Sequence, residues 1–141
     1  AAVVTPNLDE AEILIGHSLS SPKDLDLAAK ELSSQWNATI YLKGGHLGGD
    51  LLYDVACNPQ GTARSFTQKR IQTIDTHGSG CTLSACITAC LARGADSIAA
   101  IEAARAYLRR GMERPVFHSG NPFINHFPEA PLGPTNKRAG T

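Results

Sequence analysis

The stretch Asp75-Thr76-His77-Gly78-Ser79-Gly80-Cys81-Thr82 sets two glycines around a serine, just ahead of a run of small and apolar residues. Where such a run folds as a helix, its start carries unpaired backbone N–H groups and a partial positive charge. Glycine there lets a phosphate come close to the backbone. Gly78, Ser79 and Gly80 are therefore candidates for an anion hole, with Thr76 at its edge. Cys81 falls in the first helical turn, where the same field favours a thiolate near neutral pH. Two familiar phosphate loops are excluded by spacing: G-x-x-x-x-G-K-[ST] is absent, and Leu83 stands where G-x-G-x-x-G needs its third glycine. The plain alternative is a turn that starts a helix, with Cys81 as core filler.

Two further places carry residue types suited to the same chemistry. Asn7 and Glu10 form N-x-x-E at another helix start, an amide and a carboxylate able to hold a hydrated Mg²⁺ through water. The same pair also fits an ordinary capping box. Lys43, ahead of Gly44-Gly45-His46, can reach a phosphate from the carboxyl edge of a sheet, where open α/β folds bind ligands. Its alternative is a solvated lysine at a strand end.

The elements that position these residues follow from pattern. Val3-Val4-Thr5 ends a strand at Pro6, and Asn7 caps a helix through Leu8 to Ile15 that Gly16 stops. Ser21 caps a second helix, with Pro22 in its first turn and Leu25, Ala28, Ala29, Leu32 and Trp36 at helical spacing. Thr39 to Lys43 and Leu51 to Ala56 read as strands, and Ala63 to Thr67 as a third that pairs with the second around Asn58-Pro59-Gln60-Gly61. Ile71 to Thr76 leads into the glycine loop. Cys81 to Arg93 is then a helix so uniformly small and apolar that burial against a sheet is expected. The last helix runs from Asp96-Ser97 to about Met112, with Ile98, Ile101, Arg105, Leu108 and Met112 on one side and Arg105 free to snorkel. Beyond Pro115 the chain reads as an irregular wrap, and Lys137 to Thr141 as a loose tail. Strands alternating with helices predict an α/β layered fold on a largely parallel sheet.

Composition narrows the function classes. With 141 residues, 13 Lys+Arg against 13 Asp+Glu, the chain lacks the basic surplus that nucleic-acid binding draws on. At 42% hydrophobic and 18% charged it has the make-up of one globular domain with a sizeable core. No apolar run approaches the roughly 18 residues needed to cross a bilayer. The opening Ala1 to Pro6 has no signal-peptide pattern, so a cytoplasmic location is expected. Cys57, Cys81, Cys86 and Cys90 contain no C-x-x-C, and Cys86 and Cys90 sit where a free cysteine acts as a small hydrophobe.

Thr5-Pro6-Asn7-Leu8-Asp9-Glu10-Ala11, then Lys43-Gly44-Gly45-His46, then Thr76 to Thr82, in that order and with Asn125-His126-Phe127 near the end, resemble the carboxyl-terminal half of the hydroxymethylpyrimidine kinase/phosphomethylpyrimidine kinase of thiamine biosynthesis, in the ribokinase superfamily. The resemblance spans essentially the whole chain. It implies a three-layer α/β/α ribokinase-like sandwich, ATP with Mg²⁺, and phosphoryl transfer to a hydroxymethyl group of a small pyrimidine by a homo-oligomer of the intact protein. It further implies that Gly78, Ser79, Gly80 and the Cys81 amide form the anion hole and that Cys81, in place of the superfamily's usual Asp, is the base. Asn7 and Glu10 would then be the Mg²⁺ and phosphate shell, with Lys43 and Thr76 facing the nucleotide. Ser79 stands where the family more often has Thr, and Asn121, in Ser119-Gly120-Asn121-Pro122, where it tends to have Gly.

The sole methionine is Met112, and the chain opens on a strand remnant. Residues 1–141 are therefore expected to be the C-terminal part of a single kinase domain, weak or inactive alone because the substrate lid belongs to the other half. Two other functions stay open: a pyridoxal kinase of the same superfamily, and a non-catalytic nucleotide-binding fragment.

Overall fold

The computed structural model describes residues 1–46, 50–71 and 76–128. Its elements in chain order are β1 (Val3–Val4), α1 (Leu8–Ile15), α2 (Pro22–Trp36), β2 (Thr39–His46), β3 (Leu51–Cys57), β4 (Ala63–Lys69), α3 (Ser79–Ala92), α4 (Ser97–Glu113), β5 (Val116–His118) and β6 (Asn121–Phe123).

The caps act as the sequence leads one to expect. Asn7 and Ser21 each accept from the third helical amide, at 2.8 and 3.2 Å. Glu10 and Asp24 reach back to the cap N–H, at 2.8 and 2.9 Å, completing two capping boxes. Gly16 ends α1 at φ 80°, and Asn37 ends α2 at φ 48°.

Side-chain alternation in the sheet sorts the layers. Ile40, Leu42, Val55 and Cys57 face α1 and α2, where Leu25, Ala29 and Leu32 complete one core. Tyr41 and Ala56 face the other way and pack with Leu83, Ile87, Ile101 and Ala104 of α3 and α4. The result is helix pairs on both faces of one sheet, the α/β/α sandwich expected.

The sheet order is β1-β2-β3-β4, and its pairing departs from the largely parallel expectation. Among the described strands of this sheet only β1 and β2 are parallel; β2–β3 and β3–β4 are antiparallel. The cause is connection length, since the residues between these strands are too few for the crossover that parallel pairing needs. Between β3 and β4 Asn58 accepts from Thr62 N–H at 2.8 Å.

Three other expectations are corrected. β2 continues past Lys43 to His46, with a register shift between those residues. α3 is covered on one face: Leu83 and Ile87 are buried, while Cys81, Ala85, Thr88 and Ala89 are exposed. A helix of small residues all round has no apolar stripe that reveals which face is covered. The segment after Pro115 is a hairpin, with β5 and β6 antiparallel around Ser119 and Gly120, both at positive φ as a tight primed turn demands. The reach from Gln72 to Asp75 and the tail from Lys137 lie outside the described residues.

Candidate functional site

The segment after β1 runs beside the end of β2. Lys43 N–H donates to Pro6 O at 2.9 Å, and Asn7 and Lys43 form an isolated parallel bridge. By alternation Lys43 faces the same side as Tyr41. Its ammonium comes within 3.9 Å of where a Cβ on Gly80 would lie, so Lys43 stands directly before the bare start of α3.

That start differs from the others. α1, α2 and α4 are each capped by a side chain, from Asn7, Ser21 and Asp96. α3 begins at Gly78, φ 81°, with no side-chain cap. Ser79 N–H donates to Thr76 O and Thr82 N–H to Gly78 O. The amides of Gly80 and Cys81 have no acceptor among the described residues. Two N–H groups at the positive end of a 14-residue helix, with a lysine ammonium alongside, form a ready site for a phosphate oxygen.

These groups open on a cavity of about 320 Å³ that brings together Asn7, Lys43, Thr76, Ser79 and Gly80 from the expected set. Ile71, Leu108 and Met112 supply an apolar part of the wall, and Lys69, Arg70 and Arg109 add positive charge. Arg109 is fixed by bonds to Glu113 at 2.6 Å and to Lys69 O at 2.7 Å. Such a mixture suits a ligand with a flat apolar end and an anionic end.

Three expected residues lie outside this wall. Glu10 is exposed and engaged in the α1 capping box, so the ordinary capping role is present whatever else it does. Cys81 is exposed on the opposite shoulder of the helix start, in a separate shallow depression that includes Thr82, Tyr107 and His126. All four cysteines are free thiols. Burial pushes the Cys57 thiol up, and burial followed by the neighbouring Cys90 does the same for Cys86. Gly78 is exposed at the turn itself.

Sequence reasoning missed the cavity floor. Arg105 does not snorkel to solvent: its side chain is 11% exposed and pairs with Asp54. Its guanidinium also donates to Tyr41 Oη and Gln68 Oε1 and lies 4.4 Å from the Phe66 ring centre. Burial, then the Asp54 charge, holds the Tyr41 hydroxyl well above its usual range, so it stays a donor. The available signal was one Arg on an apolar helix stripe and one Asp within an apolar strand, opposite charges with no solvent to face.

Comparison with known proteins places the chain in a family. Residues 1–123 match the family described as phosphomethylpyrimidine kinase. The chain is 34% identical over 131 residues to the hydroxymethylpyrimidine/phosphomethylpyrimidine kinase of Haemophilus influenzae, covering 90% of this chain and 49% of that protein. It is 36% identical over 130 residues to the enzyme of that name from Bacillus subtilis, covering 88% and 46%. Among solved structures, an ADP complex of Bacillus subtilis pyridoxal kinase superposes with a TM-score of 0.77 at 32% identity, over 92% of this chain and 49% of that one. The chain thus spans about half the length of the relatives it matches. By the match over residues 1–123 and the identity to these relatives, the chain belongs to the phosphomethylpyrimidine kinase family.

Proposed function

We propose that this chain is the nucleotide and anion-hole half of a single-domain kinase that moves the terminal phosphoryl of ATP to hydroxymethylpyrimidine and its monophosphate in thiamine biosynthesis. The observation that carries the proposal is the start of α3 without a side-chain cap, where the Gly80 and Cys81 amides lack acceptors among the described residues and Lys43 stands before them. Phosphoryl transfer needs positioned donors and neutralised charge more than covalent help, and these groups are of that kind.

When bound, MgATP supplies the phosphoryl group and a cation to offset its charge. In the proposed reaction the two amides donate to oxygens of the transferring group while Lys43 neutralises the chain of phosphates. Thr76, Ser79 and Gly78 shape the loop around it. Glu10 and Asn7, one carboxylate and one amide beside the cavity, would hold Mg²⁺ mainly through water, a sparse oxygen donor set of the kind that ion accepts. Cys81 lies across the helix start from Lys43, outside the cavity that Lys43 lines. In this reading its sulfur takes the proton of the substrate hydroxyl as the new O–P bond forms and the bond to the leaving bridging oxygen breaks. The remaining half of the kinase would supply the acceptor pocket and the contacts of a homo-oligomer, and the whole would act in the cytoplasm.

A pyridoxal acceptor is the second reading, favoured by the superposition on a pyridoxal kinase. Both are tested by one assay. In a full-length kinase containing this sequence, hydroxymethylpyrimidine is expected to be phosphorylated in preference to pyridoxal. Cys81→Ala should lower kcat by about 10²–10⁴-fold, as loss of a general base does, with nucleotide affinity kept. Preference for pyridoxal would overturn the substrate assignment, and unchanged turnover in Cys81→Ala would overturn the base. The 141-residue chain alone should bind ATP with little or no turnover, and robust turnover would contradict the half-site reading.

A further inference from the structure

The cavity floor holds a buried ion pair that the proposed phosphate chemistry does not use. Asp54 lies opposite Lys43 in the β2–β3 register and is 7% exposed. Its Oδ2 accepts from the Tyr41 hydroxyl at 2.8 Å and from Arg105 Nη1. Its Oδ1 accepts from the backbone N–H of Gly44 at 3.2 Å. Arg105 is itself anchored, with Nη2 donating to Gln68 Oε1 at 3.1 Å and its plane against Phe66.

Burying such a pair gains little stability, because desolvation roughly offsets the attraction between the charges. Its position suggests a different use. The β2–β3 pairing is regular from Ile40 to Lys43 and resumes at His46 opposite Leu52, with the irregularity between. A bulge there interrupts the ladder and re-aims the strand. Gly44, within it, is wedged so closely that a Cβ would meet Leu25 Cδ2 at 2.1 Å and Tyr53 O at 2.2 Å, and Gly45 follows at φ 57°. The Asp54 carboxylate thus provides a side-chain acceptor for the irregular part of the strand, directly after the lysine that faces α3.

We infer that Asp54 is a positioning residue for the Lys43-Gly44-Gly45 segment, fixing the bulge through Gly44 N–H, and that Arg105 and Tyr41 hold its carboxylate in the orientation that does so. The pair thereby ties α4 to the strand end that presents Lys43. Its consequence for ligand binding rests on the nucleotide reading above, whereas the positioning itself does not.

Amide exchange followed by NMR, together with calorimetric titration of MgADP, separates the two. In Asp54→Asn a single oxygen and an NH₂ replace two acceptors, so Gly44 and the Arg105–Tyr41 donors cannot all be satisfied. Gly44 exchange should accelerate about tenfold, as expected for loss of a charge-assisted hydrogen bond, while Ile40 to Leu42 stay protected. MgADP affinity should fall in the same variant. Tyr41→Phe removes one donor to Oδ2 yet leaves the ion pair, and should give a smaller change in the same direction. It also serves as the readout if Asp54→Asn does not fold. Unchanged Gly44 exchange in the folded variants, or exchange raised equally along β2, would overturn the inference. Failure of the unmodified chain to bind MgADP would count against the nucleotide reading, and Gly44 exchange would still decide the positioning role.

Discussion

Cys81 and Cys86 occupy the same helix five residues apart, yet their surroundings give them different chemistry. Cys81 is exposed in the first turn, whereas burial and Cys90 raise the Cys86 thiol. Iodoacetamide near neutral pH is expected to label Cys81 first, Cys86 more slowly, and the buried, raised Cys57 last, as read by peptide mass spectrometry. Equal rates at Cys81 and Cys86 would remove the local basis for a reactive thiol. Much of the site was legible at this scale: a glycine turn before an apolar run marks a helix start without a side-chain cap, and Lys43 before two glycines marks a strand end. The Arg105–Asp54 pair was not, because charge neutralisation across 51 residues leaves no local pattern. Nor could spacing reveal that Cys81 turns to the opposite shoulder from Lys43, since that depends on the rotation of α3 about its axis.

Capping chemistry made element boundaries readable, and α1 and α2 begin and end where Asn7, Gly16 and Ser21 place them. The α2 cap carries a pH dependence. Hydrogen bonding by the Ser21 side chain, then by the Ser20 backbone, holds the half-buried Asp24 carboxyl below its ordinary 3.8. A depressed folded value means the stabilisation is present above that ordinary value and is lost as pH falls through the folded one. The Tm difference between the unmodified chain and Asp24→Asn should therefore shrink on acidification below about pH 4, the usual carboxylate range. A constant difference would contradict the cap. Gly44→Ala sets a Cβ against the Tyr53 carbonyl, a backbone atom that cannot swing aside, and should cost at least about 1–3 kcal/mol in urea unfolding. Elements defined by long-range contact were harder to read. The β5–β6 hairpin rests on a two-residue Ser119-Gly120 turn inside a Pro- and Gly-rich stretch, and its α4 contact, Asn125 N–H to Gly111 O at 3.0 Å, has no sequence signature.

For the whole molecule, helices alternating with strands pointed correctly to a layered α/β/α fold, but strand direction was set by connection length and, among the described strands, came out mostly antiparallel. The layers bring three distant segments, around Asn7, Lys43 and Ser79-Gly80, to one cavity wall. No helix among the described residues is long and apolar enough to cross a membrane. The central claim is that this wall, at the start of α3 without a side-chain cap, takes the phosphates of a nucleotide. Calorimetric titration of MgATP into the chain and into Lys43→Ala tests it most directly. The unmodified chain should bind, and Lys43→Ala should bind at least about tenfold more weakly, the loss expected for a charge-assisted phosphate contact. Equal affinities, or no binding by the unmodified chain, would contradict it.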